Sequence, residues 1–584
     1  MATTRASLEV TKGGTLVEPH PMDDNSTPSS LHEGSDALLK GPFPTEEEWA
    51  TLPRVAGSIP WQAWTVAFVE FAERFSYYGT SAVFVNFIQK DLPKGSKTGA
   101  GFLIKPGSGA LGLGQRASTG LTTFNSFWSY FTPLFGAYLA DQYWGRYKTI
   151  QYANIVAIIG HAILIISAIP PVIVRPNAAI AIFAVGLVIM GIGTGGFKSN
   201  ISPLIAEQYK DAKPYVRVNK RGQREIVDPA VTTARIYIYF YMLINLGSLS
   251  GSFAMVYSEH FVGFWLSFTL PTIFYLLCPL TLLYFKKHYK LSPPTGSVMG
   301  KAWKPSAIRA RGETVPTWMT FDDAWVDEIR RGILACKVFL WYPLYWLAYN
   351  QMTNNLVSQA NTMQLGKVPN DIISKLNPIF IVIVIPIMDF GIYPLLRKLN
   401  INFSPIKKIT AGFALSSLAM VSACVTQAYI YKMSKCGDHI NAAIKSGRKD
   451  CTAPFTVWIQ IFPYGLIGMS EVLASITKLE YAYTKAPKNM RSTVQAIALS
   501  TSAVSAALGQ ALVGLSEDPL LVWNYGSVAV VALFGGIGFY LTFRKADREE
   551  DAMNNMKESK YLGTEGVNEV VEPEVKNEKV VEKV

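Results

Sequence analysis

The segment from residue 60 to 88 carries three ionisable side chains in an otherwise apolar run. Glu70, Glu73 and Arg74 lie three and four residues apart, so they share one face if the segment is helical. Each would cost roughly 2.5–3.5 kcal/mol at the centre of a membrane-spanning helix. This face must therefore point into the protein interior or a water-filled cavity. A plain ion pair joining two helices would satisfy it, but intramembrane charges indicate function, and we favour a functional site.

Three further polar residues lie in other apolar runs. Lys198 follows the glycine-rich sequence 191–197, and Asn245 and Glu471 lie in two separate runs. The glycines permit close helix packing that would leave Lys198 projecting into the bundle, although its side chain could instead extend to the membrane surface. Asn245 could form an interhelical hydrogen bond or contact a ligand. Together these residues predict a charged interior.

The composition predicts a membrane protein. Of the 584 residues, 49% are hydrophobic and 16% are charged, whereas soluble domains have about 25% charged residues. Apolar runs of about 20 residues recur, and each can cross a hydrocarbon core of roughly 30 Å. The net charge of +12 is concentrated in short loops, which fits membrane topology better than nucleic-acid binding. No nucleophile–base pattern, phosphate loop or metal-ligand spacing is present, so we expect neither an enzyme nor a metal site.

Twelve apolar runs predict an all-α protein with twelve transmembrane helices. They lie at about 60–88, 119–139, 150–174, 179–205, 230–254, 261–285, 333–352, 374–396, 406–431, 456–484, 492–515 and 522–543. An even number places both termini on one side. Loops after even-numbered spans hold about 24 Lys and Arg residues against about 13 in the others, which indicates cytosolic termini.

The same pattern divides the chain into five parts. Residues 1–58 and 546–584 are polar and predicted to be disordered cytosolic tails, while 59–285 and 333–545 form two six-helix bundles. The linker 286–332 is basic, and its end could form an amphipathic helix on the membrane surface. The charged insert 207–229 should also be cytosolic.

Five cysteines show no metal-binding spacing. Cys436 and Cys451 flank the loop between spans 9 and 10, and they could form a disulfide if that loop faces the outside. Cys278, Cys336 and Cys424 lie in or beside spans, where we expect them to serve packing.

Six spans on each side of a linker resemble the major facilitator superfamily, whose two pseudo-symmetric halves enclose a site near the membrane midplane. The loop sequence from Gly136 to Lys148, GAYLADQYWGRYK, is similar to the cytosolic signature of that superfamily. Two glycines permit tight backbone approach. Asp141, Arg146 and Lys148 are expected to form a conformational latch between the halves that breaks during transport.

More specific motifs resemble the proton-dependent oligopeptide transporter family, most closely its fungal branch. They are E-x-x-E-R-F-S-Y-Y-G at 70–79, F-Y-x-x-I-N-x-G at 240–247, the Asp141 loop, Lys198 in its glycine-rich span, and E-x-x-x-S followed by L-E-Y-A-Y-x-x-A-P at 471–487. The resemblance covers all twelve spans.

This resemblance implies a proton-coupled symporter that imports di- and tripeptides by alternating access. Arg74 and Lys198 would bind the peptide carboxylate, and Glu471 would bind its ammonium group. Glu70 and Glu73 would take up and release the coupling proton. The implied substrate-binding residues are Arg74, Tyr77, Tyr78, Lys198, Asn245, Trp346, Asn377, Glu471 and Ser475.

The resemblance also implies the partners and the location of the protein. The peptide, protons and the lipid bilayer would be its partners, and we expect neither nucleic-acid binding nor a cofactor. The proton gradient would supply the driving force. We expect a monomeric, multi-pass protein of the plasma membrane.

Two departures from the family pattern affect this interpretation. Thr123 occupies the position at which animal members carry a histidine in span 2, so proton coupling would depend on carboxylates. Ser81 and Asn350 replace an arginine and an acid that form an outer gate in many members. Because both are neutral, no charge is left unpaired, but the outer gate must close through other contacts.

Two alternatives remain open at this stage. The same fold could carry nitrate, another small anion or a peptide-like compound, although Glu471 favours a ligand with an amine. A transport-deficient nutrient receptor is the second alternative. The presence of Glu70, Glu73, Arg74 and Lys198 argues against it, because a receptor has no need of proton-coupling groups.

Overall fold

The computed structural model places helices at each of the twelve predicted positions. It describes residues 43–101, 108–209, 213–292, 294, 332–333, 335–352, 355–360, 362–364, 375–399, 403–440, 443, 451–486, 490–512, 515–516 and 518–548. Three predictions lie outside this part of the chain: the disorder of residues 1–42, the amphipathic helix at the end of the linker and the disorder of residues 549–584.

The N-terminal half contains six long helices. They are α1 (Trp61–Ala82), α2 (Gly114–Leu139), α3 (Arg146–Ala168), α4 (Pro176–Glu207), α5 (Pro229–Phe261) and α6 (Phe264–Tyr275, continued by Leu277–Tyr284). Shorter helical segments connect them: Glu46–Thr51, Phe84–Gln89, Ala140–Trp144, Pro170–Ile173 and Lys286–His288.

The C-terminal half contains the other six. They are α7 (Tyr342–Asn350), α8 (Leu376–Ile387), α9 (Pro405–Met433), α10 (Ile461–Lys485), α11 (Arg491–Ala511) and α12 (Leu521–Arg548). Its shorter segments are Asn355–Ala360, Met388–Ile392, Tyr393–Lys398, Gly437–His439 and Val457–Gln460. The loop between α9 and α10 contains the disulfide Cys436–Cys451, with the two Cα atoms 5.3 Å apart.

Within the described residues, eight helices are long and apolar enough to cross a membrane: α3 to α6, α8 to α10 and α12. The three charges of α1 lie in its middle, which lowers its apolarity, and α7 has nine residues in its regular part. The chain is therefore a multi-pass membrane protein, with a helix at each predicted position.

Helix packing follows the division into two halves. In the N-terminal half α1 packs on α5 and α3 on α4, and in the C-terminal half α9 packs on α10 and α12. The halves meet where α2 and α4 contact α11, and where α5 contacts α8 and α10. At the α1–α5 contact, a Cβ on Gly247 would lie 2.6 Å from the carbonyl oxygen of Phe71, so only glycine permits this approach.

A small sheet forms from part of the N-terminal tail and the insert, and it corrects the prediction of disorder for that part of the tail. The strands are β1 (Arg54–Val55), β2 (Tyr215–Val218) and β3 (Arg224–Val227), in the order β1-β3-β2. β1 pairs parallel to β3, and β2 pairs antiparallel to it. Residues 43–58 are thus structured, and the prediction of disorder was wrong for them.

Side-chain contacts hold this segment in place. Glu48 forms an ion pair with Arg224, and the backbone N–H of Gly57 donates to Thr232 Oγ1 at 2.9 Å. The strands are short, two to four residues, so their alternating pattern was too brief to detect. The sheet extends the N-terminal half beyond the membrane-spanning helices.

Candidate functional site

A compact charge cluster on α1 forms one side of the site. Arg74 Nε lies 3.0 Å from Glu70 Oε1 and 2.6 Å from Glu73 Oε2. All three side chains are at most 3% exposed. Because one guanidinium faces two carboxylates, the cluster carries a net negative charge when both acids are ionised. One added proton would make it neutral.

Tyrosine rings surround the cations of this half. The guanidinium carbon of Arg74 lies 5.6 Å from the ring centre of Tyr77 and 6.0 Å from that of Tyr78. Lys198 Nζ, on α4, lies 4.0 Å from the ring centre of Tyr130 on α2. Cation–π contacts of this kind partly replace the hydration of a buried ammonium. Lys198 forms no ion pair with any residue that the structure describes, so its charge is available to a ligand.

The acid of the C-terminal half is held by neutral groups. Asn377 Nδ2 on α8 donates to Glu471 Oε2 at 2.8 Å, and the hydroxyl of Tyr241 on α5 donates to Oε1. Glu471 is 3% exposed and, in the described part of the chain, has no ion-pair partner. Hydrogen bonds from neutral donors orient the carboxylate and leave its charge uncompensated. It is therefore suited to bind a cation.

A cavity lies between the halves; Arg74 and Lys198 line it, whereas Glu73 and Glu471 lie behind the lining residues Arg74 and Tyr241. Its lining residues are Glu70, Arg74, Tyr78, Tyr130, Lys198, Ile201, Ser202, Phe240, Tyr241, Ile244, Trp346, Ser475, Lys478, Leu479, Gln495, Leu499 and Ser502. They come from α1, α2, α4, α5, α7, α10 and α11. The cavity thus lies at the centre of the molecule, where the sequence predicted it.

Six of the predicted site residues line this cavity directly: Glu70, Arg74, Tyr78, Lys198, Trp346 and Ser475. Others support them from behind. The Tyr77 hydroxyl is 2.9 Å from Ser129 Oγ, and Asn377 holds Glu471. Asn245 donates to the backbone oxygen of Tyr241 at 2.9 Å, a bond within its own helix, and it does not line the cavity.

Six polar lining residues were missed from the sequence: Tyr130, Ser202, Tyr241, Lys478, Gln495 and Ser502. The two tyrosines gave no signal, because aromatic residues are common in every span. Lys478 did give a signal in the sequence, because it lies seven residues after Glu471 and three after Ser475. This spacing places all three residues on one helical face. Its position inside the motif at 471–487 hid it.

Three residues depart from the family pattern: Ser81, Thr123 and Asn350. Ser81 Oγ donates to the backbone oxygen of Tyr78 at 3.4 Å. Thr123 is exposed on α2, and Asn350 is the last residue of α7. None of the three lines the cavity.

The predicted latch residues lie at the end of the bundle where α2 ends and α3 begins. Asp141 Oδ1 is 3.6 Å from Arg146 Nη2, and Arg146 also pairs with Glu207 at the end of α4. Asp141 Oδ2 accepts two bonds from Thr493 of the other half, from its N–H at 3.0 Å and its hydroxyl at 2.9 Å. The network therefore spans both halves.

Further contacts strengthen this network. Arg146 Nε donates to Ser492 Oγ at 2.9 Å, and Arg491 lies 3.8 Å from Glu207. Burial raises the pKa of the Asp141 carboxyl, while Arg146 and the hydroxyl of Thr493 act in the opposite direction. Gly145 has a φ of 73°, which the turn into α3 requires and glycine adopts without strain. The side chain of Lys148 is exposed and does not join the network, which corrects that part of the prediction.

A second ion pair joins the halves near the same end. Arg235 at the start of α5 lies 3.0 Å from Asp389, which follows α8, and the Tyr239 hydroxyl donates to the same carboxylate at 2.7 Å. On the opposite side of the cavity, Lys375 Nζ donates to Ser252 Oγ at 3.3 Å. The described ion pairs between the halves therefore lie at the end predicted to be cytosolic.

Comparison with known proteins identifies the family. A family model described as the POT family matches residues 147–314 and 305–528. The chain belongs to the POT family. It is 41% identical over 555 residues to a probable peptide transporter, ptr2, of Schizosaccharomyces pombe, which covers 92% of this chain and 87% of that protein.

Two further similarities agree with this assignment. Peptide transporter PTR2 of Saccharomyces cerevisiae is 38% identical, covering 94% of this chain and 90% of the relative. The crystal structure of the POT family transporter PepTSo superimposes with a TM-score of 0.57 at 20% identity, over 84% of this chain and 99% of that one. The structural likeness shows that the two chains share their fold.

Proposed function

We propose that this chain is a proton-coupled symporter of the plasma membrane that imports di- and tripeptides by alternating access, with both termini in the cytosol. One observation carries the proposal: two cations of the N-terminal half line the central cavity, and a carboxylate of the C-terminal half, without an ion-pair partner among the described residues, lies directly behind the lining residue Tyr241. Arg74 and Lys198 lie on α1 and α4, and Glu471 lies on α10. A short peptide is a zwitterion whose charged ends would bridge such poles.

Because the site would bind the two charged ends of the peptide, the side chains of the peptide would be less constrained. Arg74 and Lys198 would bind the peptide carboxylate, and Glu471 would bind its ammonium group, oriented by Asn377 and Tyr241. Tyr78, Trp346 and Ser475 would line the space between the ends. A ligand that contacts both halves stabilises the conformation in which they close around it.

The α1 cluster supplies a coupling step. When Arg74 binds the peptide carboxylate, its attraction for Glu70 and Glu73 is shared with a third anion. A buried carboxylate that loses part of its cationic partner is favoured in its protonated form. Peptide binding would thus promote proton binding at one of the two acids, and release of the peptide would promote release of the proton.

The network at the end of α2 would serve as the latch. Its contacts between Asp141, Arg146 and residues 492–493 must break when the cavity opens to the cytosol. The disulfide between Cys436 and Cys451 supports the orientation, since disulfides are typical of the oxidising exterior and this loop follows the ninth helix. We further propose that the protein acts as a monomer, without a bound cofactor, and is not an enzyme.

The test is uptake of labelled alanyl-alanine into proteoliposomes that contain the full chain, with and without an inward proton gradient. We expect accumulation above the equilibrium level only with the gradient. Uptake that ignores the gradient would overturn the symporter, and binding without uptake would indicate a receptor. Labelled nitrate, measured in parallel, distinguishes an anion transporter of the same fold.

A further inference from the structure

A third cation lines the central cavity and forms no ion pair with any residue that the structure describes. Lys478 on α10 is 3% exposed, and its Nζ donates to the backbone oxygen of Ala498 at 3.3 Å. The same nitrogen lies 4.5 Å from the ring centre of Trp346 and 5.3 Å from that of Tyr342. No described carboxylate forms an ion pair with it. Its direct contacts are thus neutral groups.

Charge counting shows that this lysine exceeds what a neutral zwitterion requires. The lining includes Glu70, Arg74, Lys198 and Lys478, and Glu73 and Glu471 lie directly beside it, which makes three acids and three bases. With the coupling proton on Glu70 or Glu73 the α1 cluster is neutral, and Lys198 and Glu471 then face the terminal carboxylate and the ammonium group of a peptide. Lys478 remains as a positive charge without a function in that scheme. A ligand with a second carboxylate would compensate it.

The spacing on α10 places this charge within reach of a bound peptide. Glu471, Ser475 and Lys478 share one helical face, and seven residues correspond to a rise of about 10 Å. An extended peptide spans roughly 3.3–3.6 Å per residue. A peptide whose ammonium group binds Glu471 therefore has its first residues within reach of Lys478. Its terminal carboxylate is drawn to the cations of the other half, so a side chain is the part that meets Lys478.

We propose that Lys478 is a specificity-determining residue that gives this transporter a preference for acidic peptides, those with an aspartate or glutamate side chain. The proposal rests on the peptide transport proposed above. The side-chain carboxylate would accept a charge-assisted hydrogen bond from Lys478 Nζ, and Trp346 would keep the lysine stem in place beside it.

Equilibrium binding to the purified full chain tests the proposal. Labelled alanyl-alanine is displaced by alanyl-glutamate or by alanyl-glutamine, which has nearly the same shape and no charge. We expect alanyl-glutamate to displace the label at about tenfold lower concentration, since a charge-assisted hydrogen bond is stronger than a neutral one. The ratio of the alanyl-glutamine concentration to the alanyl-glutamate concentration that displaces half of the label should fall close to one in Lys478→Gln and in Lys478→Met. It should be retained in Lys478→Arg.

Lys485→Gln is the matched control, because Lys485 is also buried on α10 but does not line the cavity. It should leave the ratio unchanged. An equal affinity of the wild-type chain for the two peptides overturns the inference, and so does a ratio that persists in Lys478→Gln. An equal wild-type affinity rejects the inference even when no variant folds, and a wild-type preference is assigned to Lys478 by whichever of Lys478→Gln and Lys478→Met folds.

Two further outcomes separate this inference from the proposed function. If Lys478→Gln weakens trialanine binding and leaves the ratio intact, the lysine binds the terminal carboxylate of longer peptides and the inference is wrong. If alanyl-alanine itself does not bind to the wild-type chain, peptide transport fails as the function, and the inference fails with it. If alanyl-alanine binds but alanyl-glutamate binds no better than alanyl-glutamine, the inference is wrong and the proposed function is unaffected.

Discussion

The two faces of the central cavity hold their charges in different ways. On the N-terminal face, Glu70 and Glu73 both lie against Arg74, so two acids share one cation within a single helix and one added proton makes the cluster neutral. On the C-terminal face, Glu471 is held by an amide and a hydroxyl, and Lys478 by a backbone oxygen and two rings. The charges of that face are oriented but not neutralised.

This difference indicates a division of labour. In the α1 cluster, a proton can neutralise one carboxylate, or a substrate carboxylate can take the place of one carboxylate beside Arg74. Either exchange has a modest cost in free energy because Arg74 keeps an anionic partner. Charges held by neutral groups have no such exchange available and gain most from a ligand of opposite charge. The N-terminal face is therefore suited to proton coupling, and the C-terminal face to recognition of the ligand's ammonium group and side chain.

Removal of the shared cation should have the largest effect. In Arg74→Ala both buried acids lose their partner, and loss of one member of a buried ion pair costs about 3–5 kcal/mol. We expect uptake of labelled dipeptide to fall to background and thermal unfolding to occur at a lower temperature. Arg217→Ala is the control, since its pair with Glu225 is partly exposed and worth about 1 kcal/mol or less. Unchanged stability of Arg74→Ala would mean that the cluster does not compensate itself.

Neutralisation of one acid should uncouple proton transport from peptide transport. In Glu73→Gln one protonatable group is lost while Arg74 keeps Glu70, so we expect gradient-driven accumulation to fall at least about tenfold. Counterflow exchange of labelled for unlabelled dipeptide should be retained. Glu259→Gln serves as control, because this acid is also buried, accepts a hydrogen bond from Asn86 and does not line the cavity. Equal loss of both activities in Glu73→Gln would give Glu73 a structural or ligand-binding role.

The corresponding change on the other face should alter recognition. In Glu471→Gln we expect uptake of free dipeptides to fall about tenfold or more, because a charge-assisted bond to the ammonium group is lost. Uptake of neutral N-acylated peptides should suffer less. Competition by both peptide classes against labelled dipeptide measures the difference. An equal loss for both classes would show that Glu471 does not bind the ammonium group.

The smallest expected effect concerns the contacts at the end of α2, outside the two faces. Asp141→Asn weakens the bonds to Thr493, and loss of about 1 kcal/mol shifts the equilibrium between the closed and open states about fivefold. We expect a cysteine substituted for Ser502 in the cavity to react faster with a membrane-impermeant thiol reagent added on the cytosolic side. Lys148→Gln, at an exposed position, is the control. An unchanged rate in Asp141→Asn would exclude a latch at this position.

The sequence predicted much of the helical framework, because apolar runs and charged loops are strong signals in a membrane protein. It also predicted Glu70, Glu73 and Arg74 as one group, since their spacing fixes a shared helical face. It did not predict their pairing, because one guanidinium between two acids is a matter of side-chain geometry. The β2–β3 hairpin and its pairing with residues 54–55 were missed, as strands of two to four residues carry too little periodicity.

Lining residues contributed by distant helices were the hardest to predict. Tyr241 contacts Glu471 only because α5 crosses α10 at that level, and no local pattern encodes the crossing. Asn245, one turn along the same helix, was predicted for the site because it is polar, yet its amide bonds to its own backbone. Lys478 was accessible to sequence reasoning through its spacing from Glu471 and was overlooked within a longer motif.

The central claim, that the N-terminal face binds the coupling proton while the C-terminal face recognises the peptide, is tested most directly by proton uptake. Alanyl-alanine is added to weakly buffered proteoliposomes that contain the full chain, and the external pH is recorded. We expect the external medium to become more alkaline with the wild-type chain and to remain unchanged with Glu73→Gln, although that variant still exchanges peptide. No pH change with the wild-type chain, or an equal change with the variant, would contradict this account.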